Sequence, residues 1–295
     1  MKRITSIKNL FLLLLITVTL SCNSDDSSDL PIEEEDNRLV LKRITSNRDF
    51  RLEFNISGRW ISSTANESNI NESRVNNIIN NQDQLVKRTI ENGGLQRTTE
   101  YQYDSSGKII QTIKIIFSNG STTEIATQFS YNNNVITATN TESNEDYQYT
   151  FTFTDDSYME ISNFKATNLT SGEDFFEETY LYINDNFKKT TIITSTTEQP
   201  PYAFKTYEYD ETINPWAAGN RVDYLNELFS VTSKNTGSLT TILVRHSKNN
   251  RLTSHIEDQT ISVEYNEQGY ISKETDSPNS DNSGFEPSII NFEYY

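Results

Sequence analysis

Cysteine is almost missing from this chain. There is one in 295 residues, Cys22, so no intramolecular disulfide can form and stability must come from packing and strand pairing. Histidine is nearly as scarce, with only His246 and His255. No HExxH, CxxC, GxSxG or phosphate-cradling glycine motif is present. No EF-hand spacing is present either, so calcium, zinc and cofactor sites have no sequence signature. Positive charge is also short: 25 Lys and Arg stand against 42 Asp and Glu, a formal net charge of −17. So acidic a body repels nucleic acid, which excludes a nucleic-acid partner. Apolar residues reach only 34%, yet aromatics make up 11%, which argues against disorder. A sheet that buries one face and leaves the other to polar residues explains both figures.

What the chain does have begins with its leader. Residues 1–21 run from basic Lys2, Arg3 and Lys8 through an apolar core, Leu10 to Leu20, to small Ser21. That core, about 11 residues, is too short for a bilayer that needs about 20, so it reads as a secretory signal. Cys22 follows directly. The arrangement resembles a bacterial lipoprotein signal, with Thr19 where that family prefers leucine. The resemblance implies that Cys22 is acylated and becomes the new N-terminus; the plainer alternative is a buried free thiol. Acyl chains on Cys22 would make the membrane a partner. Residues 22–37 are acidic and serine-rich with almost nothing to bury, as expected of a disordered tether. Ser24-Asp25-Asp26 resembles the export signal of Bacteroidetes-type surface lipoproteins, which implies an outer-membrane anchor with the body on the cell surface. A merely solvated linker would leave the body facing the periplasm.

From residue 38 to 295 the chain repeats one unit, and this is read as a single domain. In Tyr101–Ile116, two tyrosines alternate with polar residues, Asp104-Ser105-Ser106-Gly107 turns the chain, and an isoleucine-rich run returns. This is a β-hairpin pattern. Degenerate copies are anchored at Phe54, Tyr131, Phe153, Tyr182, Tyr209, Tyr265 and Tyr294, with worn copies around Asn80 and His246. The spacing, about 22 to 29 residues, marks an array of one supersecondary unit and predicts about 16 to 20 strands. Crossover helices have no room, so the strands should be antiparallel and sequential. The fold class is therefore all-β: an up-and-down meander rolled into a barrel or half-barrel, with at most one or two short helices. Its closing seam is expected between the strands near Leu39–Ile44 and Ile289–Tyr295. Apolar Val222, Leu225, Leu228 and Phe229 at helical spacing predict a short helix or plug within 214–237. Ser68–Asn81 is open between a helical turn and a loop.

Tyr103-Asp104-Ser105-Ser106-Gly107-Lys108-Ile109 resembles the YD repeat of Rhs-type surface proteins, and Tyr265–Ile271 is a looser copy. The self-cleaving core and toxin of those proteins are missing here. The leader, the repeats, and Tyr207-Glu208-Tyr209-Asp210 before Asn214-Pro215 together resemble an uncharacterised family of Bacteroidetes secreted lipoproteins. That resemblance implies a porin-like fold and no assigned activity.

Candidate chemistry is thin. With Asn249-Asn250 as a turn, His246 and His255 would share the solvent face, opposite Leu243, Leu252 and Ile256, without a third metal ligand. Asp155-Asp156, Asp174 and Glu177-Glu178 could supply a carboxylate pair at a barrel mouth. Repeat aromatics read as core and cross-strand pairs. Trp216, just beyond Asn214-Pro215, stands apart as a ligand contact. An inserted porin is disfavoured because the strands show no continuous outward apolar band. The expectation is a lipid-anchored envelope protein, a non-enzymatic binding or structural module without cofactor or metal. Its partner would be a glycan or an envelope protein. The alternatives are a surface glycan-capture lipoprotein and a hydrolase with a carboxylate pair at the barrel mouth.

Overall fold

Alternation in the sequence becomes sidedness in the sheet. In the strand Glu145–Phe153, Tyr147, Tyr149, Phe151 and Phe153 are buried, while Gln148, Thr150 and Thr152 between them keep partial contact with solvent. The computed structural model describes residues 39–65, 72–195, 206–214, 221–234, 238–252, 259–278 and 286–295. The leader, Cys22 and the acidic tether lie outside the described residues, as do Trp216, His255 and Ile256.

The first strands are β1 (Leu41–Ser46), β2 (Phe50–Phe54), β3 (Trp60–Ala65), β4 (Ser73–Ile79), β5 (Leu85–Asn92) and β6 (Leu95–Tyr103). Then come β7 (Ile109–Ser118), β8 (Ser121–Asn132), β9 (Val135–Glu142), β10 (Glu145–Phe153), β11 (Ile161–Asn168), β12 (Glu173–Ile183) and β13 (Asn186–Ser195). After β14 (Tyr209–Ile213) the chain forms helices α1 (Arg221–Phe229) and α2 (Thr240–Arg245). It ends with β15 (Asn249–Arg251), β16 (Gln259–Tyr265), β17 (Ile271–Pro278) and β18 (Ser288–Tyr294). Sixteen strands make one antiparallel sheet in which β1 to β13 are neighbours in chain order, and β18, β17 and β16 continue it beyond β1.

One turn is used four times. Asn55, Asn80, Asp104 and Asn266 each accept, on Oδ1, the backbone N–H groups two and four residues on. The residue two positions before each return strand has positive φ: Gly58 (74°), Asp83 (60°), Gly107 (82°) and Gly269 (81°). A register shift precedes each turn, as a five-residue hairpin loop with a bulge requires. The repeat tyrosines then lock one unit to another. The hydroxyls of Tyr103, Tyr131 and Tyr294 donate to the carbonyls of Leu85, Ile109 and Ile271, at 2.8, 2.9 and 2.6 Å. Each acceptor opens the strand that follows one of these turns.

The terminal strands meet as expected, β1 pairing with β18 from Leu41↔Tyr294 to Ser46↔Ile290, while the open seam of the sheet lies elsewhere, between its free edges β13 and β16. Three expectations need correction. The copy assigned to Tyr209 is no local hairpin, because β14 pairs with β15 in a separate two-stranded ribbon. The copy around His246 is helix α2, whose Leu243 and Val244 are buried, while Leu252, expected in the core, is 38% exposed. Within 68–81, residues 73–79 are strand β4, neither helical turn nor loop.

The ribbon and helices occupy the seam. Thr206 bridges to Lys189 on β13, the Tyr207 N–H donates to the Lys188 carbonyl at 3.0 Å, and the Phe187 N–H donates to Ser247 Oγ at 3.0 Å. On the other side, Tyr265 of β16 donates its hydroxyl to Asp210 of β14. The rolled sheet is therefore not closed by strand pairing; the intervening segment covers its edge. The larger core cluster joins the inner faces of β5 to β13 with Tyr224, Leu228 and Phe229 of α1 and Leu243 and Val244 of α2. Phe229 sits 4.4 Å from Phe129 and 5.6 Å from Phe151, centroid to centroid. A smaller cluster joins Leu41, Ile44, Leu52 and Phe54 with Trp60, Ile290 and Phe292.

Candidate functional site

Helix α1 carries an acidic stripe. Asp223 and Glu227 are four residues apart and so share one face. Asp223 receives Arg59 from the β2–β3 turn, and both side chains are 2% exposed. Arg59 also meets Asp83 of the β4–β5 turn, at 3.2 Å. Glu227 Oε2 takes Arg245 Nη1 at 3.0 Å and His246 Nε2 at 3.3 Å. Burial acts to raise the Glu227 pKa, but Arg245 and His246 outweigh it and hold the carboxyl at about 2. His246 is thus a hydrogen-bond partner of Glu227 beside Tyr224, with a side chain 5% exposed, and does not face solvent.

Between α2 and strands β1, β2, β3, β17 and β18 lies a cavity of about 490 Å³. Ile44, Leu52, Trp60, Ile290 and Phe292 form its apolar wall, and Val244 closes it from α2. The Trp60 indole N–H is already satisfied by the Ser62 carbonyl at 2.8 Å, and Arg88 stacks 4.7 Å from the ring centroid. One corner is polar. There Arg251 Nη2 pairs with Glu274 Oε1 at 3.1 Å, while Arg251 Nη1 is buried with no hydrogen-bond partner among the described residues. Burial raises the pKa of Glu274 and of its same-strand neighbour Asp276, against the pull of Arg251. A chamber with an apolar wall and an arginine–carboxylate pair at one side can hold a small ligand by its body and orient it by a polar group.

The acids picked out from the sequence do not converge. Glu177 faces outward and takes the Asn163 amide at 3.1 Å. Glu178 faces inward, fully buried, accepting from the Tyr180 hydroxyl and the Leu239 N–H. Asp174 is engaged by Lys165 and Thr167, and Asp155 caps its own turn. Among the described residues no group of three or more potential metal ligands occurs. The residues that do meet at the cavity, Arg251 and Glu274, were missed. Their trace in the sequence is the alternation Ile271-Ser-Lys-Glu274-Thr-Asp276, which puts two acids on one face of a strand.

No family model matches the chain, and no curated protein matches it. Among solved structures, it is similar to a porin-like protein from Bacteroides uniformis ATCC 8492. That likeness is 13% identical and covers 70% of this chain and 92% of the other, with a TM-score of 0.30.

Proposed function

We propose that this protein is a lipid-anchored envelope protein whose rolled all-β body is a non-enzymatic binding module. The carrying observation for binding is the cavity beside Trp60, with an apolar wall of strand residues and the Arg251–Glu274 pair at its polar side. The ligand has a small apolar body and one polar group. Anchoring rests on the basic and apolar leader ending at Cys22. Ion pairs on the outward face, Lys87–Glu100 at 3.5 Å and Lys165–Asp174 at 2.6 Å, favour a body held beside the membrane over one inserted in it. The body stands on the cell surface, or faces the periplasm if Ser24-Asp25-Asp26 is only a solvated linker.

With Trp216→Phe as background, Trp60 is the sole indole, and its fluorescence reports on the cavity. Titration with 1-octanol should shift its emission saturably, and the cavity-filling Leu52→Phe or Arg251→Gln should weaken that response. No response to octanol would overturn the cavity as a site. Cys22→Ala should release the protein from membranes; a variant still bound, with an unmodified N-terminus, would overturn the anchor. Glycan capture through Trp216 is favoured instead if array binding is lost in Trp216→Ala. A hydrolase has one observation behind it, the raised pKa values of Glu274 and Asp276 at a cavity wall. Turnover of a glycoside that Glu274→Gln abolishes would support it.

A further inference from the structure

A second chamber, of about 390 Å³, lies on the inner side of β6 to β9 and shares no lining residue with the first. It is built around a strand turned against its own composition. On β7, Ile113, Ile115 and Phe117 alternate outward, and Phe117 is 44% exposed. Thr112 and Lys114 face inward, paired across the ladder with Tyr101 and Thr99 on one side and Thr127 and Ile125 on the other. Lys114 is 8% exposed, and its ammonium makes no hydrogen bond or ion pair among the described residues.

Arg97 stands beside it. Its ladder partner is Ile116, two residues from Lys114 on the same face, and its Nε is buried with no hydrogen-bond partner among the described residues. Lys234, after α1, adds a third cation, with Nζ held on Ser143 Oγ at 2.7 Å. Glu142 also lines the chamber, but its oxygens are occupied at 3.4 Å by the Asn140 amide and the Lys234 backbone N–H. No cation lies within ion-pairing distance of it among the described residues. Glu124 lies at the exposed side. Burial lowers the Lys114 pKa, Arg97 lowers it further, and Glu142 opposes them.

Elsewhere inside the sheet, cations are matched. Arg59 meets Asp223, Arg245 meets Glu227, and Arg251 meets Glu274. Arg88 is the exception: it donates to Asn77 and stacks on Trp60, and its Nη2 has no hydrogen-bond partner among the described residues. In a chain with 42 acids for 25 basic residues, an inward lysine and arginine without a carboxylate are anomalous. Burying unpaired charge is costly, and the cost falls away when an anion arrives. We propose that this chamber is a binding site for a small oxyanion, with Lys114 and Arg97 as its principal ligands and Lys234 at its mouth. The volume leaves room beyond the charged head, so an organic anion fits as well as an inorganic one.

The test is thermal unfolding and titration calorimetry of the full chain with sodium sulfate, phosphate and citrate, against sodium chloride at matched ionic strength. A saturable rise in Tm with at least one oxyanion, absent with chloride, is expected. Citrate alone would assign an organic polycarboxylate; sulfate or phosphate would assign an inorganic or phosphorylated ligand. Lys114→Met and Arg97→Gln should each weaken binding at least about tenfold, while Lys165→Met on the outer face leaves it unchanged. Without ligand, Lys114→Met should unfold no lower than the parent, because it removes an unpaired buried charge. Equal stabilisation by chloride would overturn the site. So would citrate, sulfate and phosphate affinities unchanged in Arg97→Gln, the half-buried position that can be altered even if Lys114→Met does not fold.

Discussion

Arg59 and Asp223, 164 residues apart in the chain, meet as a two-pronged ion pair: Nη2 to Oδ1 at 2.9 Å and Nε to Oδ2 at 3.2 Å. Both side chains are withdrawn from water, so each compensates a desolvation cost the other could not bear alone. The pair fixes α1 to the β2–β3 turn, and through Asp83 to the β4–β5 turn as well. Asp223→Asn or Arg59→Met should therefore cost about 3–5 kcal/mol. Urea midpoints measure this, with an unchanged m-value showing that the unfolded state is not involved. The double variant Arg59→Met/Asp223→Leu should recover part of the loss.

Acid should loosen the same helix. The Glu227 carboxyl is held at about 2, below its ordinary value of 4.5. A depressed folded pKa gives stability that is complete above the unfolded value and disappears as pH falls through the folded one. Between pH 4.5 and 2 the contribution to be lost is roughly 3 kcal/mol. Denaturant midpoints followed from pH 6 to 2 should show it, and Glu227→Gln should flatten that part of the profile.

Gly107 and Gly269 occupy the same turn position, at φ of 82° and 81°. A methyl group at 107 would meet only Gln84 Nε2, at 3.5 Å, and at 269 would meet nothing within 4 Å. Any loss in Gly107→Ala and Gly269→Ala is therefore backbone strain, about 1–2 kcal/mol at each position. Thermal unfolding of the two variants should give similar decrements.

Tyr131→Phe keeps the ring beside Tyr158 and Lys108 but removes the bond to the Ile109 carbonyl. It should cost about 1 kcal/mol. Hydrogen exchange should rise locally at the β7 end of the hairpin. Tyr294→Phe should act alike at Ile271, near the β1–β18 pairing.

The hairpins were legible because their information is local. An Asx residue, a glycine four positions into the turn and an aromatic before it lie within one short window, as Asn266, Gly269 and Tyr265 do. Helix α2 was not, since Thr240-Thr-Ile-Leu-Val-Arg245 is a β-branched stretch by propensity. It is helical because Leu243 and Val244 reach the core on that geometry. Tyr209-Asp210 carries strand alternation, but its partner Arg251 lies beyond both helices, out of reach of any local pattern. Both chambers were illegible for another reason. Which face of β7 or β17 points inward depends on how the whole sheet rolls, and period-2 alternation alone cannot tell Lys114 from Ile113.

The pairing of β1 with β18 also sets an order of assembly. From β2 to β13 each strand pairs with the one before it in the chain, so this arc can form hairpin by hairpin as chain becomes available. β1 has one neighbour at hand in β2, while the other comes from the last residues of the chain. Its outer edge stays unsatisfied until residues 288–294 are available to pair. Fragments that stop short of residue 288 carry an adhesive rim, and clearing them or shielding them falls to whatever handles the nascent protein.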